Sequence, residues 1–283
     1  MRERPRVAIV APFSGPRRAW GDLLLRAAAR RDDIDWLRID DRGEAALGAV
    51  CAGRAVAAGA VAAIGHFNSG GAALALPEYA RAGVPCLLPL ATAPGLTALA
   101  PGLVLRQCPT DDDQARALVD ALGAVGDEVA VIDDGSAYGM GLAELIAASG
   151  ATPLALDDAI LWDGGLVVSG VHRPAAAIAR ELVGEGCVAR LAFVDDCDVD
   201  EFAALAGEAV DGALVARFPG GASACVDAMV DALADAVTTW PMLRGSVLVE
   251  AVRALSAVEY DDYGERLNTG WGVRPVALAG AHA

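Results

Sequence analysis

The chain contains no lysine. Its 22 basic residues are all arginine, they face 38 acids, and the formal net charge is −16. A nucleic acid or an anionic membrane surface needs a basic face, so neither is an expected partner. Aromatic residues make up only 5% of the chain. No apolar run approaches the roughly 20 residues that span a bilayer. The cysteines (Cys51, Cys86, Cys108, Cys187, Cys197, Cys225) are scattered without a C-x-x-C pair, so neither zinc nor a redox motif is signalled. Unpaired thiols suit a reducing compartment. There is no G-x-S-x-G, H-E-x-x-H, Walker A or tight G-x-G-x-x-G pattern, and no metal or cofactor is expected. Residues 1–6 carry Arg2, Arg4 and Arg6, which resemble a charged leader. They run straight into an apolar stretch at 7–10 with no separate segment of about 7–15 apolar residues and no small-residue cleavage site. That stretch cannot be both a removed leader and a strand, and the expectation is a cytoplasmic protein.

What is present is aliphatic: 55% of the residues are hydrophobic, largely Ala, Val and Leu, which suits parallel sheets covered by helices. The length allows one large or two modest domains. Strands are predicted at 7–10, 35–39, 61–64, 86–88, 103–105, 129–132, 152–156, 191–194 and 213–216. Helices are predicted at 20–29, 45–58, 72–82, 115–125, 141–148 and 175–183. Two longer helices at 225–239 and 246–257 precede a strand-like tail at 270–278. Strand–helix alternation means βαβ units and an α/β fold. At 106–110, Cys108-Pro109 breaks the pattern and Thr110 can cap a helix that opens with Asp111–Asp113.

Two motifs sit where predicted strands end, which is where open α/β sheets bind ligands. One is Gly65-His66-Phe67-Asn68-Ser69-Gly70-Gly71 and the other is Pro89-Leu90-Ala91-Thr92-Ala93-Pro94. Ser69 and the glycines bring a hydroxyl and backbone N–H groups to a helix start, a site for a carboxylate. Ser69 is equally suited to cap that helix. Thr92 adds a second hydroxyl from the next strand end.

These motifs resemble those of the periplasmic branched-chain amino acid and amide binding proteins, the type I solute-binding proteins of ABC transporters, here shortened. VAIVAPFSG at 7–15, LRQCPTDDDQ at 105–114, Gly21-Asp22, Asp40-Asp41, Tyr138-Gly139 and 207–215 extend the resemblance in order. It implies two Rossmann-like lobes with parallel sheets and a ligand cleft between them, closing by a hinge motion. Lobe one would be 1–107 plus 219–258, and lobe two 108–218 plus 259–283. By the same resemblance, Thr92 would hold an amino acid by its backbone N–H and hydroxyl, with the Leu90 carbonyl as a second acceptor for the amine. Phe67, Asn68 and Ala91 would complete that rim, and His66 is structural. Trp20 would cover the ligand side chain, or simply pack its helix, and Tyr138 would approach the ligand from the second lobe. Relatives often carry a disulfide beside the site, at positions matching Gly43 and Asn68, so this chain lacks it.

Three departures stand against the family pattern. The acidic residue that receives the ligand amine, with its βα unit, is missing after residues 198–205. Cys197 stands in place of an aromatic, at the ligand rim. Asp195, Asp196 and Asp198 crowd one strand end instead; Asp198 suits the dipole of the following helix, and Asp195 or Asp196 would take the amine. The resulting expectation is a cytoplasmic protein that binds an amino acid, amide or similar carboxylate, as a ligand sensor or divergent solute-binding protein, with a regulatory protein or a second copy as partner. The alternative is an enzyme of specialised metabolism on this scaffold, using Asp195, Asp196, His172 and Tyr138. Acids beside Cys197 would make its thiol a poor nucleophile. A scaffold with a filled cleft is the third option.

Overall fold

A computed structural model describes residues 4–124, 126 and 128–277. The first three residues of the arginine-rich start, Val125 at the end of one predicted helix and Leu278 at the end of the predicted tail strand lie outside the described residues. In chain order the elements are β1 (Arg6–Ala11), α1 (Arg18–Ala28), β2 (Asp35–Asp40), α2 (Gly48–Ala57), β3 (Ala62–Gly65), α3 (Ser69–Ala82), β4 (Cys86–Leu88), β5 (Val104–Arg106) and α4 (Asp111–Gly123). There follow β6 (Val129–Asp133), α5 (Ala137–Ala148), β7 (Thr152–Pro153), α6 (Leu156–Ile160), β8 (Gly165–Ser169), α7 (His172–Gly184), β9 (Arg190–Phe193), α8 (Asp200–Ala206), β10 (Leu214–Arg217), α9 (Ala222–Thr239), α10 (Gly245–Leu255) and β11 (Gly272–Pro275). They form two compact units: one ends at Pro109 and resumes over Pro219–Thr269, the other takes Thr110–Phe218 and the segment from Gly270.

The first unit holds a five-stranded parallel sheet in the order β2-β1-β3-β4-β5. Its central strands are buried along their whole length, β3 as Ala-Ala-Ile-Gly and β4 as Cys-Leu-Leu. That is why they read as continuous apolar runs and not as alternating ones. One core forms where Ala52, Ala55, Ala72, Ala75, Leu76 and Tyr79 of α2 and α3 meet these strands. The strand order reverses between β1 and β3, and Gly65 closes that point. Its φ is +128°, and a Cβ there would lie 2.0 Å from the Val10 carbonyl oxygen, so only glycine fits.

The return to the second unit falls at Thr269–Gly270, later than the crossing expected near Glu259. A buried ion pair holds the intervening segment to the first unit. Arg106, 1% exposed at the end of β5, donates from Nε to Glu265 Oε2 at 2.6 Å and from Nη1 to the Ala93 carbonyl at 2.5 Å. Thr97 donates to the other Glu265 oxygen, and the Tyr260 hydroxyl donates to Gln107 Oε1.

The second unit repeats the topology: β7-β6-β8-β9-β10 are parallel, and β11 adds an antiparallel edge against β10. Two of its elements differ from the sequence expectation. Strand 152–156 shrinks to Thr152–Pro153, because Leu156 already opens α6. The central strand β8, Gly-Leu-Val-Val-Ser, has no counterpart in that expectation, yet every one of its residues is buried. The βα unit thought missing after residues 198–205 leaves no break in this sheet: α8 crosses directly from β9 to β10.

Candidate functional site

In the first unit the loops after β3 and β4 meet through Ser69. Asn68, not Ser69, caps α3: its Oδ1 accepts from the Gly71 N–H at 3.1 Å, while its Nδ2 donates to the Gly43 carbonyl at 3.0 Å. That frees Ser69 for another task. Its Oγ accepts two backbone N–H groups of the neighbouring loop, from Thr92 and Ala93, each at 3.1 Å. A serine hydroxyl has two acceptor positions and one proton. With both acceptor positions taken, Ser69 has only its proton to offer, and whatever meets it must be an acceptor. The Thr92 N–H is therefore engaged, contrary to the expectation that it holds a ligand carboxylate. The Thr92 hydroxyl makes no hydrogen bond among the described residues.

The rest of the rim is packed firmly. Leu90 and Ala91 are buried, and the Ala91 carbonyl accepts from the Cys108 thiol. Trp20 is 1% exposed and stacks on Phe67 with ring centroids 4.6 Å apart; the Arg17 guanidinium lies 4.7 Å from the Phe67 centroid. Phe67 is thus the ring nearer the surface, and Trp20 serves as its support and not as a lid. His66 takes a positive φ of 57°, and its Nε2 lies 3.1 Å from the Tyr79 hydroxyl. Burial lowers its pKa to about 4 and keeps it neutral. His66 is a core residue.

The second unit gathers its polar groups on the loop after β9. The Asp195 carboxylate accepts at Oδ1 from the Tyr138 hydroxyl and from Gln114 Nε2, the latter at 2.9 Å, and the Asp195 N–H donates back to Gln114 Oε1 at 3.1 Å. Its Oδ2 accepts from no donor among the described residues. Burial, then the neighbouring Asp111, raise its pKa to about 7, against the lowering effect of the Tyr138 and Gln114 hydrogen bonds. Burial likewise drives the Tyr138 phenol well above its ordinary value.

The other candidates of this unit are structural. Asp196 and His172 are fully buried: Asp196 Oδ2 accepts from the His172 N–H at 2.9 Å and lies 3.2 Å from its Nδ1. Glu201 holds the opposite ring nitrogen at 3.3 Å. This chain of groups fastens α7 to the loop after β9. Cys197 turns into the apolar core beside Phe193 and Phe202, which corrects its assignment to the ligand rim, and burial raises its thiol well above the usual range. Asp198 is held by Arg217 at 2.6 Å and serves that pair, not a helix dipole. Two residues escaped sequence reading. Gln114 orients Asp195 from 81 positions away. Asp134 ties the two strand ends at the switch between β6 and β8, accepting from Val171 N–H, Ser136 N–H and Ser136 Oγ. No cluster of three or more potential metal ligands occurs among the described residues.

No family model matches the chain. A Leu/Ile/Val-binding protein of Rhizobium johnstonii is 32% identical over 157 residues, which is 50% of this chain and 43% of that protein, so the match spans less than half of the relative. A leucine-binding protein from Thermotoga maritima superposes with a TM-score of 0.82 over 97% of this chain and 99% of that one, at 19% identity. The fold is that of the type I periplasmic binding proteins. A second such fold, an ABC-transporter solute-binding protein from R. palustris in complex with benzoate, matches with a TM-score of 0.81 at 16% identity, covering 97% and 94% of the two chains. Within the periplasmic-binding fold, the Ser69 rim and the Asp195 cluster both occupy loops at the carboxyl ends of parallel strands, the edge where such sheets take ligands.

Proposed function

We propose that this protein binds a small carboxylate, an amino acid or a close relative of one, with Ser69 as the donor to the carboxylate. The observation that carries this reading is the hydrogen-bond inventory of Ser69: two accepted N–H groups and one proton left to give. The N–H groups of Ser69 and Gly70, in the first turn of α3, have no protein acceptor among the described residues and add to the same preference for negative charge. The names of the relatives support the ligand class. Leucine, isoleucine and valine carry the carboxylate together with an amine, and benzoate carries it alone. In the second unit, Asp195 Oδ2 is the acceptor available to an ammonium group.

The finer reading is a cytoplasmic ligand sensor that signals to a protein partner or a second copy of itself. Six cysteines, all present as free thiols, support a reducing compartment. Cell fractionation checks this part, and recovery of the native protein outside the cytoplasm overturns it. An enzyme finds less support, since two of its candidate groups, His172 and Asp196, are sealed from solvent.

Calorimetric titration with branched-chain amino acids, amides and aromatic acids tests the ligand class. One or more carboxylates should bind, and Ser69→Ala should weaken that binding at least about tenfold, with Ser69→Thr recovering part of it. Flat traces across the panel with folded protein would refute the reading.

A further inference from the structure

A cavity of about 300 Å³ opens at the other end of the first unit's sheet. Its lining includes Arg4, Arg6, Asp35, Pro241 and Arg244. Arg6 and Asp35 open β1 and β2, whereas the Ser69 rim follows the carboxyl ends of the strands. The six residues of β1 separate the two places by roughly 17–20 Å at about 3.3 Å per residue.

Three exposed guanidinium groups and one carboxylate line this cavity, an excess of two positive charges in its lining in a protein of net charge −16. Several arginines elsewhere in the protein have acid partners. Arg30 and Arg31 reach Asp227, Asp231, Asp235 and Asp33, Arg106 has Glu265, Arg173 has Glu201 and Arg217 has Asp198. Here, among the described residues, only Arg6 is paired, through Nε to Asp35 Oδ2 at 2.7 Å, with Nη1 on the Ala58 carbonyl at 3.1 Å. Arg244 spends Nη1 on the carbonyls of Pro241 and Leu243 and has no acid partner among the described residues. Arg4 makes no hydrogen bond or ion pair among the described residues, and the nearby charge acting with it is Asp33. Like charges held around one hollow repel each other, and an anion removes that penalty.

We propose that this cavity is a second, independent site for a phosphate group. The excess of two positive charges in the lining matches a phosphate dianion, and guanidinium forks match its oxygens. The volume sits at the small end of ligand sites and admits either free phosphate or a small phosphate monoester.

Calorimetry and ³¹P NMR with inorganic phosphate, and separately with glycerol 3-phosphate, test this on the full chain. Saturable 1:1 binding that falls steeply with added salt is expected. Tighter binding of the monoester identifies a metabolite site, and equal binding a site for the free ion. Arg4→Ala is the cleaner variant, because Arg4 holds no backbone; Arg244→Ala also loosens the turn before α10. Each should lower phosphate affinity at least tenfold while leaving the calorimetric response to the carboxylate panel unchanged. No saturable binding by about 10 mM phosphate, or binding unaffected by Arg4→Ala in folded protein, overturns the proposal whatever the fate of the Ser69 rim.

Discussion

Asp195 carries the sharpest residue-level consequence. An acid whose pKa is about 7 when folded and near 3.8 when unfolded binds more protons in the native state between those values. Stability therefore falls as pH rises from about 4 to 7 and is flat above. At about 1.4 kcal/mol per unit, the loss has an upper bound of about 4 kcal/mol. His66, with its pKa lowered to about 4, acts in the opposite direction: folded protein loses stability as pH falls from 6.5 toward 4. The two overlap, so the wild-type profile alone does not separate them. Asp195→Asn keeps an acceptor for Tyr138 and removes the titration. The difference in melting temperature between Asp195→Asn and wild type should grow in favour of the variant from pH 5 to about pH 7 and level off above it, as thermal melts in matched buffers would register. A difference independent of pH would mean that Asp195 is ionised throughout. The candidate acid was legible in the run Asp195, Asp196, Asp198, but which of the three keeps an open oxygen was not. That choice depends on His172, Arg217 and Gln114, each brought up by another element.

At the scale of elements, β8 is the instructive case. A short, fully apolar run between glycines is the mark of a strand buried on both faces, and Leu166-Val167-Val168 fits it. The more visible 152–156 stretch competes with it for the same place in the alternation. Being central, β8 should be sensitive to truncation. Leu166, fully buried against α7 and its neighbours, should lose about 2–5 kcal/mol on Leu166→Ala, measured by urea unfolding. A loss below about 1 kcal/mol would deny β8 its central place. The segment that follows α10 makes a second element-level prediction. Glu265→Ala leaves Arg106 buried and unpaired, which should cost about 3–5 kcal/mol. Glu265→Gln, which keeps acceptors for both Arg106 and Thr97, should cost clearly less. Proline and glycine punctuation marked most helix and strand limits within a few residues. The late crossing at Thr269 was hidden, because the ion pair that enforces it joins residues 159 positions apart.

For the whole molecule, the excess of acids predicts a dependence on salt. Raising ionic strength from about 0.01 to 0.15 M shortens the screening length from about 30 to 8 Å and relieves long-range self-repulsion. It also weakens exposed pairs such as Arg30–Asp227, but those are worth only about 0–1 kcal/mol each. Repulsion wins, and the melting temperature should rise by a few degrees over that range; a fall would show that the ion pairs dominate. The thiols supply a second global check. Five of the six cysteines are buried and Cys187 is half-buried, so native protein should react with a thiol reagent at about one site and denatured protein at six.

What the residues alone determined was the class of fold and the location of its working edge. Alternating apolar runs and helical stretches admit little besides doubly wound parallel sheets, and loops that follow parallel strands must emerge on one side, which put Ser69, Thr92 and Asp195 at strand ends. Tertiary structure decided what those groups still have to offer. Ser69 is left with a proton because Thr92 and Ala93 fill its acceptor positions, Trp20 supports Phe67 instead of facing solvent, and His172 and Cys197 vanish into the interior. Hydrogen-bond capacity and burial are set by whatever else arrives at a point in space, and no local pattern in the chain records that.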